Sequence, residues 1–194
     1  MSLNELLTEL EVFGIENDKT QSDRSRRMLN ITRNTGELLS VLITATGSRH
    51  ILEIGTSNGY STLWLARAVQ SIGGTVTTIE RSDFKIALAK SNFERSGLQH
   101  VITQVHDEAG NVLPRLPDAE TDFIFLDSYR TDYPLWWPRI KRVLRPGGLL
   151  VVDNAMTHRD DLLPFVNLVE ADPEFNTCLV PIGHGEYFAV KTRM

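Results

Sequence analysis

Apolar residues change their period along this chain. At 3–13 (LNELLTELEVF), Leu3, Leu6, Leu7 and Leu10 recur at helical spacing on one face, and Gly14 stands where that helix can end. Residues 35–46 (TGELLSVLITAT) repeat the spacing. From Ile51 the pattern tightens into the strand-like runs ILEI (51–54), TVTTIE (75–80), HVITQV (100–105), DFIFLD (122–127) and LLVVD (149–153). Helical stretches at 60–70, 83–96, about 108–115 and 132–144 separate them. Strands so nearly apolar fit a parallel sheet covered by helices on both faces. The tail, CLVPIGHGEYFAV, has two strand-like runs around Gly183 and Gly185, which predicts an antiparallel hairpin closing the sheet edge. The expected architecture is one α/β domain over 1–194: a doubly wound, mostly parallel sheet with the helices of 1–46 packed on it.

In such sheets ligands bind at the carboxyl ends of the strands, so chemistry-bearing residues should follow each apolar run. The first run leads into ILEIGTSNGYST, where Gly55 and Gly59 stand four positions apart. This is neither the dinucleotide fingerprint nor a phosphate loop, because the third glycine and the lysine are missing. Thr56, Ser57 and Asn58 occupy the bend. The second run ends in Glu80, about 20 residues further on, where a carboxylate can accept both hydroxyls of a ribose. The third ends near His106, Asp107 and Glu108, polar groups that could meet a base. Glu53 puts negative charge where a phosphate is disfavoured and a cationic amine or sulfonium is tolerated. This Rossmann-like loop therefore suits S-adenosylmethionine, with Ser61 and the helix N-terminus facing its carboxylate. The plainer alternative is that the glycines make a turn and Glu53 caps it; the joint placement of Glu53, Ser61 and Glu80 argues against that.

Two later strand ends bring a second chemistry. Asp127 follows FIFL, and Asp153 and Asn154 follow LLVV, on strands expected to be neighbours. Two carboxylates and an amide are hard ligands for Mg²⁺, with Ca²⁺ or Mn²⁺ also accommodated. Each Asp alone would read as a helix cap. No cysteine or histidine joins them, which argues against zinc.

Composition narrows the field little further. A net charge of −5 leaves no overall basic footprint for nucleic acid or an anionic membrane, although Arg24, Arg26, Arg27 and Arg33 crowd one segment. Cys178 stands alone, so no intrachain disulfide forms and a cytoplasmic setting is expected. No run is long enough to span a bilayer, and no leader sequence is read at the start.

The stretches NITRNTGELL, LEIGTSNGYSTLWLA, VTTIE, FIFLDSYRTDY and LRPGGLLVVDNA together resemble the cation-dependent, S-adenosylmethionine-dependent O-methyltransferases, the group of catechol and caffeoyl-CoA O-methyltransferases. The resemblance runs from about Ile31 to Thr192 and implies the class I methyltransferase fold. It implies that Asp127, Asp153 and Asn154 hold the metal and that Glu80 binds the ribose. Glu53, Gly55 and Ser61 would meet the methionine end, and Asp107 or Glu108 would lie near adenine. Ile31, Thr56, Gly59, Tyr60, Arg81, Ala109 and Asp127 would complete the cofactor site. Tyr129, Arg130 and His158 would face a small-molecule acceptor, with Asp127 and Arg130 at the reacting centre. One departure matters. The family commonly places a lysine base three residues after the first metal-binding Asp; here Arg130 stands there and cannot shed its proton. Trp136 and Trp137 are expected in the core, or at a substrate mouth or a dimer contact, and His184 in the hairpin as structural or exposed. The leucine-faced first helix, the tryptophan pair and the habit of bacterial-type relatives predict a homodimer. Three alternatives remain in this reading. They are methylation of a hydroxylated nucleoside such as tRNA hydroxyuridine, binding of S-adenosylmethionine without turnover, and a nicotinamide oxidoreductase.

Overall fold

The Glu5 amide donates to the Ser2 hydroxyl and the Ser2 amide donates to the Glu5 carboxylate, so the first helix opens with a capping box. In the computed structural model, which describes residues 1–193, this helix is α1 (Leu3–Thr20). It does not end at Gly14. That glycine is buried against Asn30, where a Cβ would lie 2.4 Å from the side-chain nitrogen, so its role is close approach rather than termination. The second helix, α2 (Arg33–Thr46), begins at Thr32, whose hydroxyl accepts from the Thr35 amide, and stops at Gly47 with φ 65°.

The sheet comprises β1 (His50–Ile54), β2 (Thr75–Glu80), β3 (Ile102–His106), β4 (Thr121–Leu126), β5 (Leu144–Val152), β6 (Phe175–Val180) and β7 (Glu186–Lys191). Their order is β3-β2-β1-β4-β5-β7-β6, parallel through β5 and antiparallel where β7 joins β5 and β6. Side chains alternate across it. Phe123, Phe125, Leu149 and Val151 face α1, α2, α3 (Tyr60–Gln70) and α4 (Asp83–Ser96). Ile124, Leu126, Leu150 and Val152 face the other layer, α5 (Ala109–Val112), α6 (Tyr133–Val143) and α7 (Arg159–Glu170). The central strands β1, β4 and β5 are thus buried on both faces over their apolar runs, which is why those runs are nearly unbroken.

Three local readings change. Strand β5 starts ahead of its apolar run at 149: Arg145-Pro146-Gly147-Gly148 form an irregularity inside it, where pairing slips from Thr121↔Leu144 to Phe123↔Leu149 and Arg145 is tied to Asp122. Helix α7 was not expected; Leu162, Phe165 and Val169 form its buried stripe, and Pro164 within it disguises the period. The hairpin begins earlier than its apolar run, at Phe175. The order of strand addition switches sides at β1, with β2 on one flank and the parallel β4 on the other, so the carboxyl ends of β1 and β4 open one crevice.

Candidate active site

Gly55 has φ 110°, and a Cβ there would stand 2.0 Å from the Asp127 carbonyl oxygen. Only glycine lets the β1 loop lie against the end of β4. Beyond it Ser57, at φ 48°, donates its amide to Glu80 Oε2 at 3.0 Å and its hydroxyl to the Met28 carbonyl at 2.7 Å. Glu80 Oε1 accepts from the Arg81 and Ser82 amides, each at 3.0 Å. Glu80 therefore clasps two loops. Asp107 accepts from the Glu108 amide and from Asn111 and pairs with Arg115; these hydrogen bonds, that from Asn111 first, hold its pKa below the ordinary range. Arg81 pairs with Glu108 at 3.2 Å and lies 4.1 Å over the Tyr129 ring.

Glu53 sits beneath this loop, fully buried. Register places it opposite Thr78, and its carboxylate accepts from Ser61 Oγ and Thr78 Oγ1, both at 2.6 Å, and from Thr62. Thr78 is in turn hydrogen-bonded to Thr56 at 2.6 Å. Burial raises the Glu53 pKa to about 7, against the pull of those hydroxyls.

At the ends of β4 and β5 the acids meet. Asn154 adopts φ 69°, a left-handed conformation asparagine tolerates, and its Nδ2 donates to Asp153 Oδ2 at 2.6 Å and Asp127 Oδ1 at 3.2 Å. Burial, then the neighbouring Asp153, raises the Asp127 pKa well above the carboxylate range, while Arg130 pulls it back. Asp153 Oδ1 is buried with no partner. The Tyr133 hydroxyl accepts from the Ser128 amide at 2.6 Å and so fixes the turn after Asp127. Sequence reasoning missed one member of this cluster. Glu186, fully buried at the start of β7, accepts from Thr35 Oγ1 at 3.0 Å and lies beside Asp153; burial first, then Asp153, raises its pKa far above the usual range. An acid opening an otherwise apolar strand was the only signal for it.

A cavity of about 1020 Å³ joins the two regions. Gly55, Glu80, Arg81, Asp107, Glu108, Ala109 and Asp127 line it from the expected cofactor set. Asn154, Tyr129, Arg130 and His158 line it from the expected metal and acceptor sets. Ile31, Glu53, Thr56, Gly59, Tyr60, Ser61 and Asp153 do not form its wall. They are buried behind it; Gly59, with φ 87°, caps the start of α3 where a Cβ would meet Phe93. Burial of both tryptophans places them in the core, with Trp136 also touching the cavity. His184 is exposed in the hairpin and reaches the cavity rim, as do Arg24 and Arg27 from the segment between α1 and α2.

The profile of the O-methyltransferase family matches residues 3–192. The chain belongs to that family. Among curated relatives of this O-methyltransferase is a catechol O-methyltransferase of Niastella koreensis, 33% identical over 155 residues that cover 75% of this chain and 70% of the relative. An O-methyltransferase assigned in Mycobacterium avium is 34% identical over 174 residues, covering 83% and 78%. Among solved structures, a Bacillus cereus O-methyltransferase in complex with S-adenosylhomocysteine superposes with a TM-score of 0.79 at 26% identity, covering 97% of this chain and 91% of that one. TomG of Streptomyces achromogenes, an O-methyltransferase of tomaymycin synthesis in complex with S-adenosylmethionine, superposes at 0.76 with 29% identity, covering 85% and 82%. These enzymes have the class I methyltransferase fold, and so does this one.

Among the described residues no group of three or more His, Cys, Asp or Glu side chains is disposed to hold a metal ion. The set at the β4 and β5 ends is different: two carboxylates and an amide, with one buried Asp153 oxygen unpartnered. That donor chemistry suits a hard divalent cation. Among the described residues no helix is long and apolar enough to cross a membrane.

Proposed function

We propose that this O-methyltransferase transfers the methyl group of S-adenosylmethionine to one hydroxyl of a small vicinal diol of the catechol type, with a divalent cation beside the acceptor. The observation that carries this reading is that Asp127 and Asn154 line the same cavity as Gly55 and Glu80, with Asp153 buried just behind them and bonded to Asn154. Asp127, Asp153 and Asn154 would hold the cation, Mg²⁺ by preference; such a cation supplies a Lewis acid that makes a nearby hydroxyl easier to ionise, as the sulfonium supplies an electrophilic methyl.

The chain's own residues do the rest. Glu80 takes the ribose hydroxyls, and the amides and small side chains of the 55–61 loop face the methionine end, held in place by Glu53 below. Asp107 and Glu108 flank the adenine. Holding both reactants in one walled cavity sets the oxygen in line with the carbon–sulfur bond that breaks as the oxygen–carbon bond forms. The hydroxyl proton leaves to water or to His158, whose pKa is lowered by burial and then by Arg130, so its imidazole is neutral at pH 7 and can accept. Arg130 cannot act as base; it stabilises the developing oxyanion by a charged hydrogen bond. Tyr129 offers a flat wall to an aromatic acceptor. Labelled methyl transfer from S-adenosylmethionine to a panel of catechols and to bulk tRNA tests the reading. Label in catechols alone is the expected result. Label in RNA alone, or tight cofactor binding with no transfer to anything, would contradict it.

A further inference from the structure

Asp18 has no part in that chemistry, yet it holds one wall of the cavity. It stands in the last turn of α1, where the helix dipole disfavours an acid. Its carboxylate is engaged across the connection to α2: Oδ1 accepts from the Met28 amide at 2.7 Å and Oδ2 from the Leu29 amide at 2.9 Å. Leu29 adopts φ 50°, a left-handed conformation that leucine takes only at a cost, and its side chain is 49% exposed, so burial does not offset that strain. The connection folds back along α1. Arg27 Nε donates to the Gln21 carbonyl at 2.8 Å, and Asn30 Nδ2 donates to the Leu10 carbonyl at 3.0 Å. Asp18, Met28, Leu29 and Asn30 all line the cavity. The peptide unit between Met28 and Leu29 is the link to the site. Its N–H goes to Asp18, and its carbonyl accepts from Ser57 Oγ at 2.7 Å. The N–H and C=O of a trans peptide point in opposite directions in one plane, so fixing the first aims the second. Ser57 in turn donates its amide to Glu80 Oε2.

We propose that Asp18 is a positioning residue for the cofactor site: through the 28–29 peptide and Ser57 it holds the glycine loop and the Glu80 carboxylate in the geometry that receives S-adenosylmethionine. The proposal rests on the placement of the ribose at Glu80. The connection between α1 and α2 is then a clasp on the loop after β1, and Asp18 is its fastening. Two charge-assisted hydrogen bonds from one carboxylate keep Leu29 in its strained conformation, and that conformation directs the Met28 carbonyl at Ser57. Without them Leu29 relaxes toward negative φ, the peptide turns, and Ser57 loses its acceptor.

Isothermal titration with S-adenosylhomocysteine tests this without relying on turnover. The parent, Asp18→Ala, Ser57→Ala and the double variant form a cycle, each first shown to be folded by circular dichroism. Asp18→Ala is expected to weaken binding by about tenfold, and Ser57→Ala by a similar factor. Because both act through one peptide unit, the double variant should bind no more than about threefold more weakly than the poorer single variant. A purely structural role for Asp18 would instead multiply the two losses, to about a hundredfold. Asp18→Asn keeps one acceptor oxygen and should fall between the parent and Asp18→Ala; it replaces the alanine variant in the cycle if that variant does not fold. Parent-like affinity in Asp18→Ala, or multiplied losses in the double variant, would overturn the proposal. Glu80→Ala, titrated alongside, separates the two readings: unchanged affinity there contradicts the ribose placement, while the cycle still decides whether Asp18 acts through Ser57.

Discussion

At Glu80 one carboxylate meets two demands: it accepts from the Ser57, Arg81 and Ser82 amides, and it lines the cavity where ribose hydroxyls would be presented. Glu80→Ala is therefore expected to weaken S-adenosylmethionine binding by about 1.5–3 kcal/mol, roughly ten- to a hundredfold. Calorimetry giving the parent's affinity would remove Glu80 from the site. Arg130 is the position where this sequence leaves the lysine its family commonly uses. Its alanine variant should lower kcat by about ten- to a hundredfold, the worth of one charged hydrogen bond in the transition state, with cofactor affinity unchanged. Arg130→Lys should retain activity and gain relative to the parent on weakly acidic catechols at neutral pH. Parent-like turnover in Arg130→Ala would make it a bystander. Both residues were legible because each follows an apolar strand. Glu186 was not, since it begins a strand instead of following one.

The loop after β1 links the two halves of the site as an element. Because a Cβ at Gly55 would overlap the Asp127 carbonyl, Gly55→Ala must push the loop away from β4. The expected outcome is a protein that loses cofactor affinity and stability together, read by calorimetry and urea unfolding; a stable variant with full affinity would show that the contact yields. Beneath the loop, Glu53 gives a pH signature. Its pKa is raised from 4.5 to about 7, so between these values the folded chain holds more of the proton than the unfolded one. Stability from this group is present below about pH 4.5 and is lost as pH rises toward 7, by on the order of 3 kcal/mol. Glu53→Gln should remove that slope, and the difference between parent and variant in urea unfolding at pH 5 and pH 8 isolates it from Glu186. Equal slopes would mean that Glu53 is ionised throughout. Strand positions were readable from sequence because two-sided burial leaves unbroken apolar runs. Helix α7 and the irregular start of β5 were not, because Pro164 breaks a helical period and Arg145–Asp122 pairing pulls a turn-like tetrapeptide into the ladder.

At the scale of the molecule, the sheet order decides where everything meets. With β1 and β4 adjacent, the glycine loop and Asp127 come together, and with β5 next to β4, Asp153 and Asn154 join them. That convergence was legible from the strand-end residues alone; which of them reach the cavity wall was not, since alternation along β1 turns Glu53 inward to Thr78. A homodimer would have to use other surface than first expected, because Leu6, Leu7, Leu10, Trp136 and Trp137 are buried within the chain, whereas Val12, Phe13 and Ile15 on α1 are exposed. Light scattering across a concentration series would give twice the monomer mass if it forms. The central claim is that two carboxylates and an amide hold a cation serving the acceptor and not the cofactor. Its most direct measurement is catechol methylation as a function of free Mg²⁺, for the parent and for Asp153→Asn, with S-adenosylmethionine affinity measured alongside. The expected result is turnover that saturates with Mg²⁺, disappears in chelator, and falls at least about a hundredfold in Asp153→Asn, while cofactor affinity stays within about twofold. Turnover that persists in chelator, or an Asp153→Asn enzyme as fast as the parent, would contradict it.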